Sequence, residues 1–153
     1  MSTSQIKVIA IDPGVRKCGV AVFIDGILTR AATDHNPEQA QRGAVAWDSM
    51  VAALGPLVCD VLVIEQMQID GRPPSEALAV QFVAGLIVGA ATAPRWYCYQ
   101  PRQWKGSTPK HVTRARLLRD LSPEEVKIIK KQGHDAIDAV GIGRFYHANT
   151  EKL

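Results

Sequence analysis

Val8-Ile9-Ala10-Ile11-Asp12-Pro13-Gly14 decides how this chain folds. Its first four residues are apolar without interruption, the pattern of a strand covered on both faces rather than one. The run stops on an acid, and Pro13-Gly14 then turns the chain. A second run of the same kind, Val61-Leu62-Val63-Ile64, also stops on an acid, Glu65. Between the two, residues 18–24 read as a strand, Asp25-Gly26 as a two-residue hairpin turn, and residues 27–33 as a returning strand nearer the sheet edge. From Pro37 to about Leu54 the pattern is helical, with Pro37 suited to the first turn and Gly55-Pro56 as the stop. A helical crossover of that length predicts that 61–65 lies parallel to an earlier strand.

Further along, Gly71-Arg72-Pro73-Pro74 reads as a loop and Ser75 as the N-cap of a long helix running to about Thr92. Trp96-Tyr97-Cys98-Tyr99 is a short aromatic strand. Residues 101–106 form a turn or short helix, and 109–120 a helix with Pro109 in its first turn. Ser122-Pro123-Glu124-Glu125 opens another helix, with a cap, a proline at the first position and acids in the first turn. Gly133 ends it, and a last helix runs from His134 to about His147. The order predicts a single α/β domain over residues 1–153, built on a mixed five-stranded sheet with helices on both faces.

The chain has 153 residues, 46% apolar and 22% charged, with a net charge of +3. That profile suits one soluble globular core and does not by itself call for nucleic acid. Cys18, Cys59 and Cys98 are odd in number and lack metal-type spacing, so they read as reduced core thiols in a cytoplasmic protein. No secretory leader is visible at Met1-Ser2-Thr3-Ser4-Gln5. The longest apolar stretch, Ala77 to Ala93, is marginal for a membrane span and reads better as a buried or dimer-forming helix.

Four acids carry the chemistry. Asp12 and Glu65 end two strands expected to be parallel, and ligands of open α/β sheets gather outside the carboxyl ends of such strands. Asp135 and Asp138 are three apart on one helix face, with Ala139, Ile142 and Phe145 as an apolar stripe to hold that helix on the sheet. Taken singly, each acid has a plainer role: a turn residue, a strand-end surface acid, a helix-dipole acid, a solvated helix acid. Together, half-buried carboxylates repel one another and call for cations. Hard divalent ions take such oxygen donors, and paired ions recur in phosphodiester cleavage.

These residues resemble a known family. Ile11-Asp12-Pro13-Gly14 followed by Gly19-Val20-Ala21-Val22 resembles the first motif of RuvC-type Holliday-junction resolvases, Ile64-Glu65-Gln66 their second, and His134-Asp135-Ala136-Ile137-Asp138-Ala139 their last. The resemblance implies a three-layer ribonuclease H-like fold and a structure-selective endonuclease that cuts four-way DNA junctions as a homodimer. It implies that Asp12, Glu65, Asp135 and Asp138 hold two Mg2+ or Mn2+ ions. Pro101-Arg102-Gln103-Trp104-Lys105 resembles the lysine-bearing segment of the family, which implies that Lys105 or Lys110 holds the scissile phosphate. The chain departs from the family after Glu65, where Met67-Gln68 replaces the usual aromatic wedge. Three alternatives stay open: an RNA-processing nuclease of the YqgF type, whose sequences resemble the first motif but differ around the second, so that Ile64-Glu65-Gln66 favours the resolvase; a fork or flap nuclease; and a non-catalytic junction-binding protein.

Arg102, Lys105, Lys110, Arg114, Arg116 and Arg119 concentrate positive charge in a stretch with no acid, and Lys110 and Arg114 share a helix face. Such a stripe suits DNA phosphates. Trp104 reads as turn packing ahead of base stacking. His134 reads equally as a proton shuttle or as a helix cap. Gly85 and Gly89, with Ala77, Val80, Ala84 and Val88, give the 75–92 helix small residues suited to close approach, here expected between two copies of the chain.

Overall fold

A computed structural model describes residues 4–38, 44–67 and 74–150. Its five strands are β1 (Lys7–Asp12), β2 (Lys17–Ile24), β3 (Ile27–His35), β4 (Val61–Glu65) and β5 (Arg95–Tyr99). They lie in the order β3-β2-β1-β4-β5. β1, β2 and β3 form an antiparallel meander, and β4 and β5 add in parallel to β1. The hairpin between β2 and β3 turns on Asp25 (φ 50°) and Gly26 (φ 79°), the two left-handed residues that such a turn requires.

Among the described residues the helices are α1 (Ala44–Leu54), α2 (Pro74–Ala90), α3 (Pro101–Trp104), α4 (Lys110–Asp120), α5 (Pro123–Ile129) and α6 (His134–Thr150). Strand alternation sorts the core into two layers. Val8, Ala10, Ala21, Phe23, Val61 and Val63 point to one face, where Ala136, Ala139, Val140 and Ile142 of α6 cover them. Ile9, Ile11, Cys18, Val20, Leu62 and Ile64 point to the other, against Met50 of α1 and Val83 and Ile87 of α2. β1 and β4 are thus buried from both sides, as their unbroken apolar runs require. Phe145 of the expected stripe is only half-buried, its ring edge-on to Tyr99.

Two helix starts differ from expectation. Pro37 and Glu38 form a turn, and α1 begins at Ala44. Buried Asn36 explains this: its amide donates to the Val15 and Ala46 carbonyls, and its side-chain oxygen accepts from the Glu38 N–H. That local bonding fixes a turn where Pro37 would suit a helix. Ser75 lies inside α2, which already starts at Pro74, and so is not its cap. Of the loop expected over 71–74, residues 71–73 lie outside the described residues and Pro74 opens α2. The α5 start is as read: Ser122 accepts from the Glu125 N–H and Glu125 accepts from the Ser122 N–H. Glu125 also accepts from the Leu28 N–H and from Arg144, which ties β3 to α6. Cys18 and Cys59 are buried thiols, whereas Cys98 is exposed on the edge strand β5 and is not a core residue. Among the described residues, no helix is long and apolar enough to cross a membrane.

Candidate active site

Period-2 alternation carries two acids to the α6 face. Asp12 continues the series Val8, Ala10, and Glu65 the series Val61, Val63. Ile11 pairs with Ile64 across β1 and β4, so Asp12 and Glu65 stand one step further at the carboxyl ends of neighbouring parallel strands. Asp135 and Asp138 reach them because the first turn of α6 sits directly on β2. The contact point is Gly19, the partner of Asp12 in the β1–β2 ladder. A Cβ at Gly19 would fall on the Asp135 carbonyl, so only glycine lets the helix come this near. A second close approach, of the Phe23 ring to Gly143, seats the middle of the helix.

The acids feel one another. Burial, and after it the charges of Glu65, Asp138 and Asp135, holds the Asp12 carboxyl well above the usual carboxylate range, with Lys105 offsetting only part. Burial also raises Glu65, against the opposing pull of Lys105 and of a hydrogen bond from Trp104. Two lysines answer this charge. The Lys105 ammonium lies 2.9 Å from Asp138 Oδ2 and 3.6 Å from Glu65 Oε2. Burial alone would lower its pKa, but Glu65, Asp138 and Asp12 outweigh that and hold it above the ordinary lysine value. Lys17 pairs with Asp135 Oδ2 at 2.7 Å, and that bond raises its pKa. Lys17 follows from the sequence by the rule that places Gly19: both share the β2 face of Ala21 and Phe23. Its role is not evident from local pattern, because Lys17 stands at a strand start, where a lysine is ordinarily solvated.

Among the described residues, no three His, Cys, Asp or Glu side chains are gathered closely enough to hold an ion as they stand. Asp135 and Asp138 are instead paired with the two lysines. The donor set nonetheless fits a hard divalent cation in kind. It consists of carboxylates from three elements, and the excess negative charge around Asp12 is only partly neutralised.

Of the other residues singled out from sequence, Lys105 belongs to the acidic cluster itself. Arg102 on α3 and Lys110 and Arg116 on α4 are exposed, Arg114 is half-buried, and Arg116 donates to Thr108 Oγ1 at 3.4 Å. His134 is exposed at the first position of α6. Trp104 is half-buried, as the packing reading requires, but it also donates its indole N–H to Glu65 Oε2 at 2.7 Å. Met67 is half-buried and its carbonyl accepts from Gln81; Gln68 lies outside the described residues.

No family model matches the chain, and no curated protein matches its sequence. Solved structures do match. The chain is similar to Thermus thermophilus RuvC in complex with a Holliday junction substrate, with a TM-score of 0.73 and 19% identity over 96% of each chain. It is similar to the yeast mitochondrial Holliday junction resolvase, with a TM-score of 0.59 and 12% identity over 91% of this chain and 78% of that one. It also resembles the fowlpox virus Holliday junction resolvase, with a TM-score of 0.56 and 14% identity over 97% of this chain and all of the other. The mixed five-stranded sheet with helices on both faces is therefore the fold of the RuvC-type resolvase structures.

Proposed function

We propose that this chain is a divalent-metal-dependent endonuclease that cuts branched DNA, four-way junctions first among them, as a homodimer. One observation carries the reading: Asp12, Glu65, Asp135 and Asp138, remote in sequence, interact at the carboxyl ends of β1 and β4 with a lysine held among them. The Holliday junction resolvases that share this fold, one of them in complex with a Holliday junction substrate, support the choice of substrate.

Asp12, Glu65, Asp135 and Asp138 are the residues that would hold Mg2+ or Mn2+. When bound, such ions supply an activated water and charge neutralisation at the phosphate. Asp12 stands next to both Glu65 and the α6 acids and would be the central ligand of the set. Lys105 brings a fixed positive charge to where a phosphate oxygen would gain negative charge. His134, exposed beside Asp135, would carry a proton to or from solvent. Arg102, Lys110, Arg114 and Arg116 would hold the DNA backbone on α3 and α4.

Mn2+ or Mg2+ at a hundredfold excess over Kd should stabilise the fold by about 2.7 kcal/mol. The melting temperature should then rise by several degrees, and four-way junctions should be cut in preference to duplex DNA, forks and single-stranded RNA. No metal-dependent melting shift would remove the ion site, and preferred cutting of RNA would replace the substrate.

The dimer would form through α2. The structure divides the small-residue pattern read from sequence. Ala77 and Ala84 are buried against the rest of the fold, whereas Leu78 (58% exposed), Phe82 (50%) and Leu86 (37%) form an outward stripe with Gly85 and Gly89. A Cβ at either glycine would meet nothing. An uncovered apolar stripe of this kind suits a second copy of the same helix. Leu78→Asp should turn a dimer into a monomer, read by light scattering on a sizing column. A dimer that survives the substitution would place the interface elsewhere.

A further inference from the structure

Trp104 sits at a junction that turn packing alone does not explain. Its indole ring lies against Gly141 of α6 so closely that a Cβ there would overlap the six-membered ring. Its N–H is directed to Glu65 Oε2, at 2.7 Å. A tryptophan that only filled space would be served by any nearby carbonyl. Here the donor meets one of the four acids, and the same oxygen faces the Lys105 ammonium at 3.6 Å. The next residue in the chain is Lys105, whose ammonium folds back to 4.6 Å from the indole centroid while bonding Asp138. Trp104 therefore touches three parts of the acidic cluster: it donates to Glu65 from β4, backs Lys105, and rests on the helix that bears Asp135 and Asp138.

We propose that Trp104 is a positioning residue, which fixes the orientation of the Glu65 carboxylate for a divalent ion through its indole N–H, with Gly141 as the space that lets the ring reach it. The inference rests on the metal-centre reading above. A carboxylate at a strand end turns about its own torsions, and a hydrogen bond to one oxygen holds that oxygen in place and leaves the other to face an ion. Partners that orient a ligand in this way typically contribute about 10–100-fold to ion affinity. Trp104 contributes no ligand atom, so its effect passes through Glu65.

The test is Mn2+ titration followed by electron paramagnetic resonance, on wild type, Trp104→Phe, Glu65→Ala and the double variant, with melting temperature measured in EDTA. Trp104→Phe keeps an aromatic ring at this position, removes the donor, and withdraws the outer edge of the six-membered ring from Gly141. It should weaken Mn2+ binding by about tenfold, with a melting temperature in EDTA lower by only about 2–4 °C and unchanged junction affinity in EDTA. In the Glu65→Ala background the same substitution should add less than about twofold, because the group it acts through is gone. Wild-type Mn2+ affinity in Trp104→Phe, or a full additional loss in the double variant, would overturn the proposal while leaving the metal centre standing. Failure of the wild type itself to bind Mn2+ would overturn both. If Trp104→Phe does not fold, the comparison moves to Trp104→His, which retains a ring N–H. It should bind Mn2+ within a few-fold of wild type, and a loss of tenfold or more would count against the indole N–H as the active feature.

Discussion

Asp12→Asn should lower junction cleavage by more than roughly a thousandfold, beyond the effect expected from an orienting neighbour, while four-way-junction binding in EDTA stays near the wild-type value. Asn keeps the size of the side chain and removes one negative charge where β1 ends beside Glu65 and the start of α6. The same substitution should stabilise the protein when no divalent ion is present. Burial and three neighbouring acids raise the Asp12 pKa in the folded state. The folded chain then holds a proton that the unfolded chain has already released. Stability contributed by this group is present below the unfolded carboxylate value and is lost as pH rises through the raised folded value. At neutral pH the buried, crowded Asp12 is a net cost, and its removal should raise the melting temperature in EDTA. A gain of about 1 kcal/mol corresponds to about 2–4 °C for a chain of this size. Glu65 is raised by burial too, so the wild type in EDTA should melt higher at pH 5 than at pH 8, and Mg2+ should reduce that difference. Cleavage retained by purified Asp12→Asn would end the enzyme reading. Lower stability of this variant in EDTA would show that Asp12 has a structural partner outweighing its crowding.

The second large effect is at Gly19, where no catalytic group is touched. Alanine is a better strand former than glycine and would by itself add about 0.5–1 kcal/mol. Against this stands the Asp135 carbonyl, which occupies the place of the new Cβ. The obstacle is backbone, not the end of a flexible side chain, so the first turn of α6 must move out. Overpacking of this kind costs about 1–3 kcal/mol. The movement carries Asp135 and Asp138 away from Asp12 and Glu65, and a displacement of about 1 Å can cost roughly a hundredfold in rate. Gly19→Ala should therefore melt lower and cut about a hundredfold more slowly, with junction binding preserved. Wild-type cleavage in this variant would mean that α6 accommodates the methyl group without shifting its acids.

Much of this arrangement was legible in the residues. Unbroken apolar runs marked β1 and β4 as central, Asp-Gly marked the hairpin, and strand alternation alone places Asp12 and Glu65 on the face of Val8 and Val61. What stayed hidden depends on side chains reaching across the fold. Asn36 overrides a helix start by bonding to Ala46, a residue ten positions on. Trp104 meets Glu65 across 39 positions, and local pattern carries no trace of that. The outward stripe of α2 was masked because its inner and outer faces are both apolar, so periodicity gave no contrast. Lys17 differs from these, since alternation from Phe23 back through Ala21 and Gly19 leads to it.

The four acids come from the first strand, the fourth strand and the last helix, and this distribution has a consequence for biosynthesis. While the chain emerges from the ribosome, Asp12 and Glu65 are exposed to solvent long before the segment bearing Asp135 and Asp138 is translated. A nascent chain halted between Glu65 and that segment has two of the four acids and an open sheet face. A centre that needs all four acids would thus be complete only late in synthesis, and incomplete products of translation would lack it.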